Sequence, residues 1–123
     1  MELYISNAGG EPIYAQITRQ IKDKILAGEL KEDDALPSIR LLAKELRISV
    51  ITTKRAYEDL EAEGFIRTMP GRGSFVAPQN PELHREESLK QVEGHLQNAI
   101  EAARRGGISL AEVTETLQLL WEG

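Results

Sequence analysis

The chain has 123 residues, 41% apolar and 28% charged, with no cysteine and a net charge of −5. This length suits one domain, or a small domain with an appendage, and the composition argues against disorder. The lack of cysteine excludes disulfides and thiolate metal sites and fits a reducing compartment. No apolar run reaches the ~18–20 residues of a membrane span, and the first residues lack the basic start and apolar stretch of a secretion signal, so a cytoplasmic protein is expected.

The acidic total at first argues against nucleic acid, but the charge is unevenly spread. Residues 1–36 hold 4 basic and 7 acidic side chains, residues 37–77 hold 7 and 5, and residues 78–123 hold 4 and 8. Only the middle stretch is net positive. Within residues 38–55 Arg40, Lys44, Arg47, Lys54 and Arg55 stand against a single acid, Glu45, as expected of a phosphate-binding face or of a solvated helix pair.

In chain order, weak alternation over residues 2–6 predicts a short edge strand. Asn7-Ala8-Gly9-Gly10 is a loop, and Pro12 suits the first position of a helix. Ile13, Ile17, Ile21 and Ile25 recur every four residues, which predicts an amphipathic helix over 12–27 that Gly28 stops. Lys31-Glu32-Asp33-Asp34-Ala35 reads as a polar connection. Ser38 is an N-cap candidate for a helix over 38–46 that buries Ile39, Leu42, Ala43 and Leu46. A turn at Arg47-Ile48 leads to a second N-cap, Ser49, and to a helix over 50–63 with Thr53, Ala56, Tyr57 and Leu60 inward. Ile51 and Arg55 centre its outer face, flanked by Thr52 and Lys54. Two short helices joined by a tight turn form a helix-turn-helix pattern.

Phe65-Ile66-Arg67-Thr68-Met69 then reads as a strand, Pro70-Gly71-Arg72-Gly73 as a turn with a basic tip, and Ser74-Phe75-Val76-Ala77 as the returning strand. A hairpin directly after the second helix is a wing, able to lay Arg72 along phosphates or into a minor groove. Pro78-Gln79-Asn80-Pro81 ends regular structure. Beyond it Leu89, Val92, Leu96, Ala99 and Ala103 line a helix over 82–105, closed by Gly106-Gly107. Ser109 with Glu112 forms a capping box for a last helix lined by Leu110, Val113, Leu117 and Leu120. Both seams are of coiled-coil type. A lone hairpin buries one side of each helix, and two copies in a four-helix bundle cover both. The alternative is a hairpin folded back on its own N-terminal domain. The expected architecture is therefore mainly α with a small β wing: a winged helix-turn-helix over 1–77, a linker at 78–81, and a helical hairpin for homodimerisation over 82–123.

These residues resemble the GntR family of bacterial transcription regulators, and within it the short YtrA-like branch. The resemblance is carried by Pro12-Ile13-Tyr14, Gln16-Ile17, Gly28 with Leu30, Leu36-Pro37-Ser38, Arg40 and Leu42-Ala43. It continues through Ser49, Thr52, Ala56-Tyr57, Leu60, Glu63-Gly64, Gly71 with Gly73, and Phe75-Val76. It implies a dimer bound to an inverted-repeat operator in double-stranded DNA, with contacts from Arg40, from Ser49, Val50, Ile51, Thr52 and Lys54, and from Gly71 and Arg72. Arg55, opposite the core face, adds a phosphate contact. Two positions depart from the family. Val50 stands where a polar or basic contact is usual, with a second apolar residue, Ile51, beside it. Asp33 stands where the loop usually carries Gly.

The rival readings are weaker. No nucleophile, base and orienting partner fall together as an enzyme requires. His84 and His95, eleven residues apart on one helix, lie about 16 Å apart along its axis, too far to share a metal. No metal, cofactor or membrane partner is expected. A winged helix that docks on protein instead of reading DNA is the main alternative. A small-molecule effector has no evident pocket, and Tyr4, Tyr14 or Trp121 would border one.

Overall fold

The computed structural model describes residues 1–123 as five helices and one hairpin: α1 (Ile13–Leu26), α2 (Ile39–Leu46), α3 (Val50–Ala62), β1 (Ile66–Met69), β2 (Gly73–Val76), α4 (Pro81–Gly106) and α5 (Leu110–Glu122). They fall into two compact units, Met1–Pro81 and Glu82–Gly123. None of the helices is long and apolar enough to cross a membrane.

The first unit closes around one core. The isoleucine stripe of α1 delivers Ile17, Ile21 and Ile25, α2 adds Leu42, α3 adds Ala56, Tyr57 and Leu60, and the wing adds Ile66 and Val76. Burial of such side chains contributes about 1.5–3 kcal/mol each. Local chemistry fixes the boundaries. Pro12 sits at the N-cap of α1, one position before its expected place. Beyond α1, Gly28 takes φ +80°, a conformation glycine adopts at no steric cost. Ser38 Oγ accepts the Leu41 amide at 3.1 Å, and Ser49 Oγ accepts the Thr52 amide at 3.1 Å.

Two segments differ from the sequence expectation. Residues 2–6 form no strand. The segment lies alongside α1, and two glutamine side chains take the role of a partner strand. Gln20 Nε2 donates to the Tyr4 carbonyl at 2.7 Å and Gln20 Oε1 accepts the Tyr4 amide at 2.9 Å. Gln16 does the same for Ser6, at 2.7 and 2.8 Å. One helical turn separates the glutamines and one pleat separates their targets, so the two periods match. The other difference is the polar connection before Leu36, which pairs with the outer side of β2. Ala35 and Phe75 form an antiparallel bridge. The Asp33 amide donates to the Val76 carbonyl, the Val76 amide to the Asp34 carbonyl and the Leu36 amide to the Ser74 carbonyl, each at 2.9 Å. Asp33 itself takes φ 69°, so the left-handed turn that favours glycine is kept and occupied by Asp.

In the second unit the predicted helices form, and Ser109 and Glu112 make the expected capping box. Their seams stay open. Ala103 is the buried residue of α4, and no residue of α5 is buried. Leu96 is 40% exposed, Leu117 48% and Leu120 75%.

Candidate nucleic-acid interface

Arg40 lies in the first turn of α2 and Lys44 one turn on; both are exposed. Arg47 ends the helix with φ 57°, a left-handed conformation that costs a residue with a Cβ roughly 1–2 kcal/mol. The turn so formed lets the Ile48 amide return to the Ala43 carbonyl at 3.0 Å and delivers Ser49 to cap α3. Sequence reading placed Arg47 in the turn but missed this strain, because nothing in the residue type signals it.

The inner face of α3 falls where its period places it: Thr53, Ala56, Tyr57 and Leu60 are buried. The Thr53 hydroxyl donates to the Ser49 carbonyl at 3.1 Å. The Tyr57 hydroxyl donates to the Pro37 carbonyl at 2.7 Å and so ties α3 to the segment that starts α2. Burial, and secondarily the charge of Glu45, pushes its pKa well above the ordinary phenol value. On the outer face Val50, Ile51 and Lys54 are exposed and Thr52 is half-buried. The Ser49 hydroxyl donates to Thr52 Oγ1 at 2.8 Å, so in the free chain both of its hydrogen-bonding roles are filled locally. Arg55 has a tertiary partner that sequence spacing did not reveal: its guanidinium lies 3.7 Å from the centroid of the Tyr14 ring on α1.

The wing is built on a short ladder with Ile66 opposite Val76 and Met69 opposite Gly73. At its tip the Arg72 amide donates to the Met69 carbonyl at 2.9 Å. Pro70 precedes Gly71, and Gly71 takes φ +76°, which is a type II turn with Pro and Gly at their preferred positions. Gly71, Arg72 and Gly73 are exposed. Three contacts set the wing's direction. Glu61 of α3 accepts the Thr68 amide at 2.6 Å, Arg67 pairs with Asp33 at 2.6 Å, and Thr68 Oγ1 meets Ser74 Oγ across the strands at 3.1 Å.

The electrostatics of this unit are asymmetric. Its ion pairs join Arg19 to Glu11, Lys22 to Glu63, Lys24 to Glu29 and Arg67 to Asp33. Arg40, Lys44, Arg47, Lys54 and Arg72 make none of these pairs and stand exposed on α2, α3, the turn between them and the wing tip. An unpaired cation keeps its full charge for a partner outside the chain.

Of the positions considered for a small effector, Tyr4 borders a shallow hollow of about 300 Å³ with Met1, Glu2, Leu3, Leu42, Glu45 and Leu46. Tyr14 lies under Arg55, and Trp121 is 87% exposed. The seam residues expected to dimerise, Leu89, Val92, Leu96, Leu110, Leu117 and Leu120, are exposed, and Val113 is half-buried.

Comparison with known proteins bears on the family and the fold. The family described as "Bacterial regulatory proteins, gntR family" matches residues 13–76. The HTH-type transcriptional repressor YtrA of Bacillus subtilis (strain 168) is 32% identical over 116 residues, which covers 94% of this chain and 89% of that protein. Among solved structures, YtrA from Sulfolobus acidocaldarius, a GntR-family transcription factor, superposes with a TM-score of 0.60 at 34% identity, covering 98% of this chain and 97% of that one. AraR(DBD) in complex with operator ORX1 superposes with a TM-score of 0.56 at 28% identity, covering 63% of this chain and 96% of that one.

Proposed function

The chain belongs to the gntR family of bacterial regulatory proteins, and we propose that it represses transcription by binding an inverted-repeat operator in duplex DNA as a homodimer. One observation carries the reading. In a protein of net charge −5, residues 37–77 are net positive, and within them Arg40, Lys44, Arg47, Lys54 and Arg72 stand exposed on α2, α3, the turn between them and the wing, outside the ion pairs of the winged unit. Support for DNA as the partner comes from a similar domain that was solved with its operator.

In this reading α3 enters the major groove by its N-terminal end, where free backbone N–H groups and the helix dipole favour phosphate. Ser49 and Thr52 border that end, and Val50 and Ile51 form its tip. Arg40 and Lys54 take phosphate or guanine. Arg55 presents its guanidinium edge to a phosphate while its face stays on Tyr14, since stacking leaves the N–H groups free. Arg72 follows the backbone or enters the minor groove, and Gly71 beside it lets the wing's main chain approach closely. A second copy of the chain covers the open seams of α4 and α5. Two reading heads then meet major grooves about 34 Å apart, or a multiple of that.

Selection of bound duplexes from a random pool tests the reading. A palindromic motif is expected, with affinity for it falling steeply as salt rises. The exposed apolar tip at Ile51 favours protein docking as the second reading. Under that reading no motif emerges and binding to the partner responds little to salt.

A further inference from the structure

We infer that Val50 and Ile51 read the 5-methyl groups of thymine, so that the helix tip specifies its bases by apolar contact in place of hydrogen bonds. The inference rests on the DNA-binding reading above and adds what that reading leaves open, the base code of the tip.

These residues are the first two of α3, and they are 47% and 80% exposed. The core draws on the other side of the helix, so packing within the chain does not account for them. The neighbouring polar groups, Ser49 and Thr52, are turned on each other. The tip is therefore an apolar point on a unit whose Arg40, Lys44, Arg47 and Lys54 stand exposed on α2, α3 and the turn between them. Its surroundings fit a polyanion, while the two side chains at the tip can neither donate nor accept a hydrogen bond.

In the major groove guanine offers N7 and O6, cytosine an amino group, adenine N7 and an amino group, and thymine O4 and a methyl. The methyl is the one apolar group on these edges. Covering any of the others with Val or Ile strips water from a polar atom without replacing its hydrogen bond, which is unfavourable. Covering the methyl removes two apolar surfaces from water together. A buried methyl is worth about fourfold in affinity, from ~0.8 kcal/mol per carbon.

The test uses the full chain and two random duplex pools, one with thymine and one with uracil throughout, which pairs identically and lacks only the methyl. The thymine pool is expected to yield half-sites with thymine fixed at one or two adjacent positions. In the uracil pool that preference should vanish while guanine preferences persist. In single duplexes, thymine-to-uracil replacement at those positions should weaken binding about fourfold per methyl. The Val50→Ala, Ile51→Ala double variant should bind both versions alike. Its folding is checked by thermal unfolding, which exposed residues replaced by a better helix former leave intact. Equal affinity for thymine and uracil duplexes overturns the inference, as does a thymine preference that persists in the double variant. A thymine pool that yields no motif at all overturns the DNA-reading assignment and this inference with it, an outcome visible before any uracil comparison.

Discussion

In the first 81 residues the aliphatic side chains of the helix faces are sealed: Ile17, Ile21 and Leu60 are 0% exposed and Leu42 1%. In the last helix, Leu110, Leu119 and Leu120 are between 66% and 81% exposed, and Trp121 is 87% exposed. Both regions have regular amphipathic periods and good caps, so secondary structure does not distinguish them. Three helices and a wing can enclose a core within one chain. Two helices with narrow seams leave theirs for another surface. The winged unit derives its stability from its own packing, whereas in the proposed dimer the seams of α4 and α5 contribute stability that depends on protein concentration.

The contrast can be broken by mutation. The largest effect is expected in the sealed core. Leu60→Ala should destabilise the winged unit by about 2–5 kcal/mol, read by denaturant unfolding, and this loss should be the same in dilute and concentrated protein. Next comes the open seam. Leu96→Glu with Leu117→Glu should convert a dimer to a monomer by sedimentation and lower operator affinity roughly a hundredfold or more, about 2.7 kcal/mol, because one reading head loses its tethered neighbour. A variant that still sediments as a dimer contradicts the role given to α4 and α5.

Smaller effects separate reading from folding. Arg40→Ala should weaken operator binding by about 1–3 kcal/mol with little change in thermal stability, since Arg40 is exposed at the start of α2. Unchanged affinity at fixed salt removes Arg40 from the contact surface. Tyr57→Phe deletes the 2.7 Å hydrogen bond to Pro37 and should cost about 1 kcal/mol. The same phenol predicts a pH dependence. Its pKa is raised in the folded chain above the ordinary value of 10.0, so the folded state holds the proton more tightly than the unfolded state. Stability should therefore be insensitive to this group below that pH and fall as pH rises above it. The Phe variant should lack that part of the alkaline loss, as equilibrium unfolding across the range would show. Smallest is Arg47→Gly, which relieves the left-handed backbone at φ 57° but gives the unfolded chain more freedom. Unfolding should show a net gain of about 0.5–1 kcal/mol.

Much of the winged unit was legible because its signals are local. The spacing of Thr53, Ala56, Tyr57 and Leu60 identified the inner face of α3, Ser38 and Ser49 marked helix starts, and Pro70-Gly71 marked the wing turn. What was hidden depends on partners distant in sequence or on backbone alone. Lys31 to Ala35 looks like a loop because it is polar, yet residues 33–36 join the wing through main-chain groups that carry no residue code. Gln16 and Gln20 look like surface residues until an extended segment lies beside them. Arg55 was placed on the outer face, and only the packing of α1 on α3 shows Tyr14 beneath it. In the candidate site, the exposure of Ile51 followed from the helical period and Val50 was singled out by the family resemblance, but which bases they meet has no local signal.

The most direct measurement titrates the full chain onto a duplex selected from a random pool, by fluorescence anisotropy at several salt concentrations. Two chains per duplex are expected, with an affinity that falls linearly on logarithmic axes, roughly a thousandfold or more between 50 and 200 mM salt for the half-dozen or more phosphate contacts of two reading heads. One chain per duplex, or an affinity flat with salt, would contradict the proposed DNA-binding dimer.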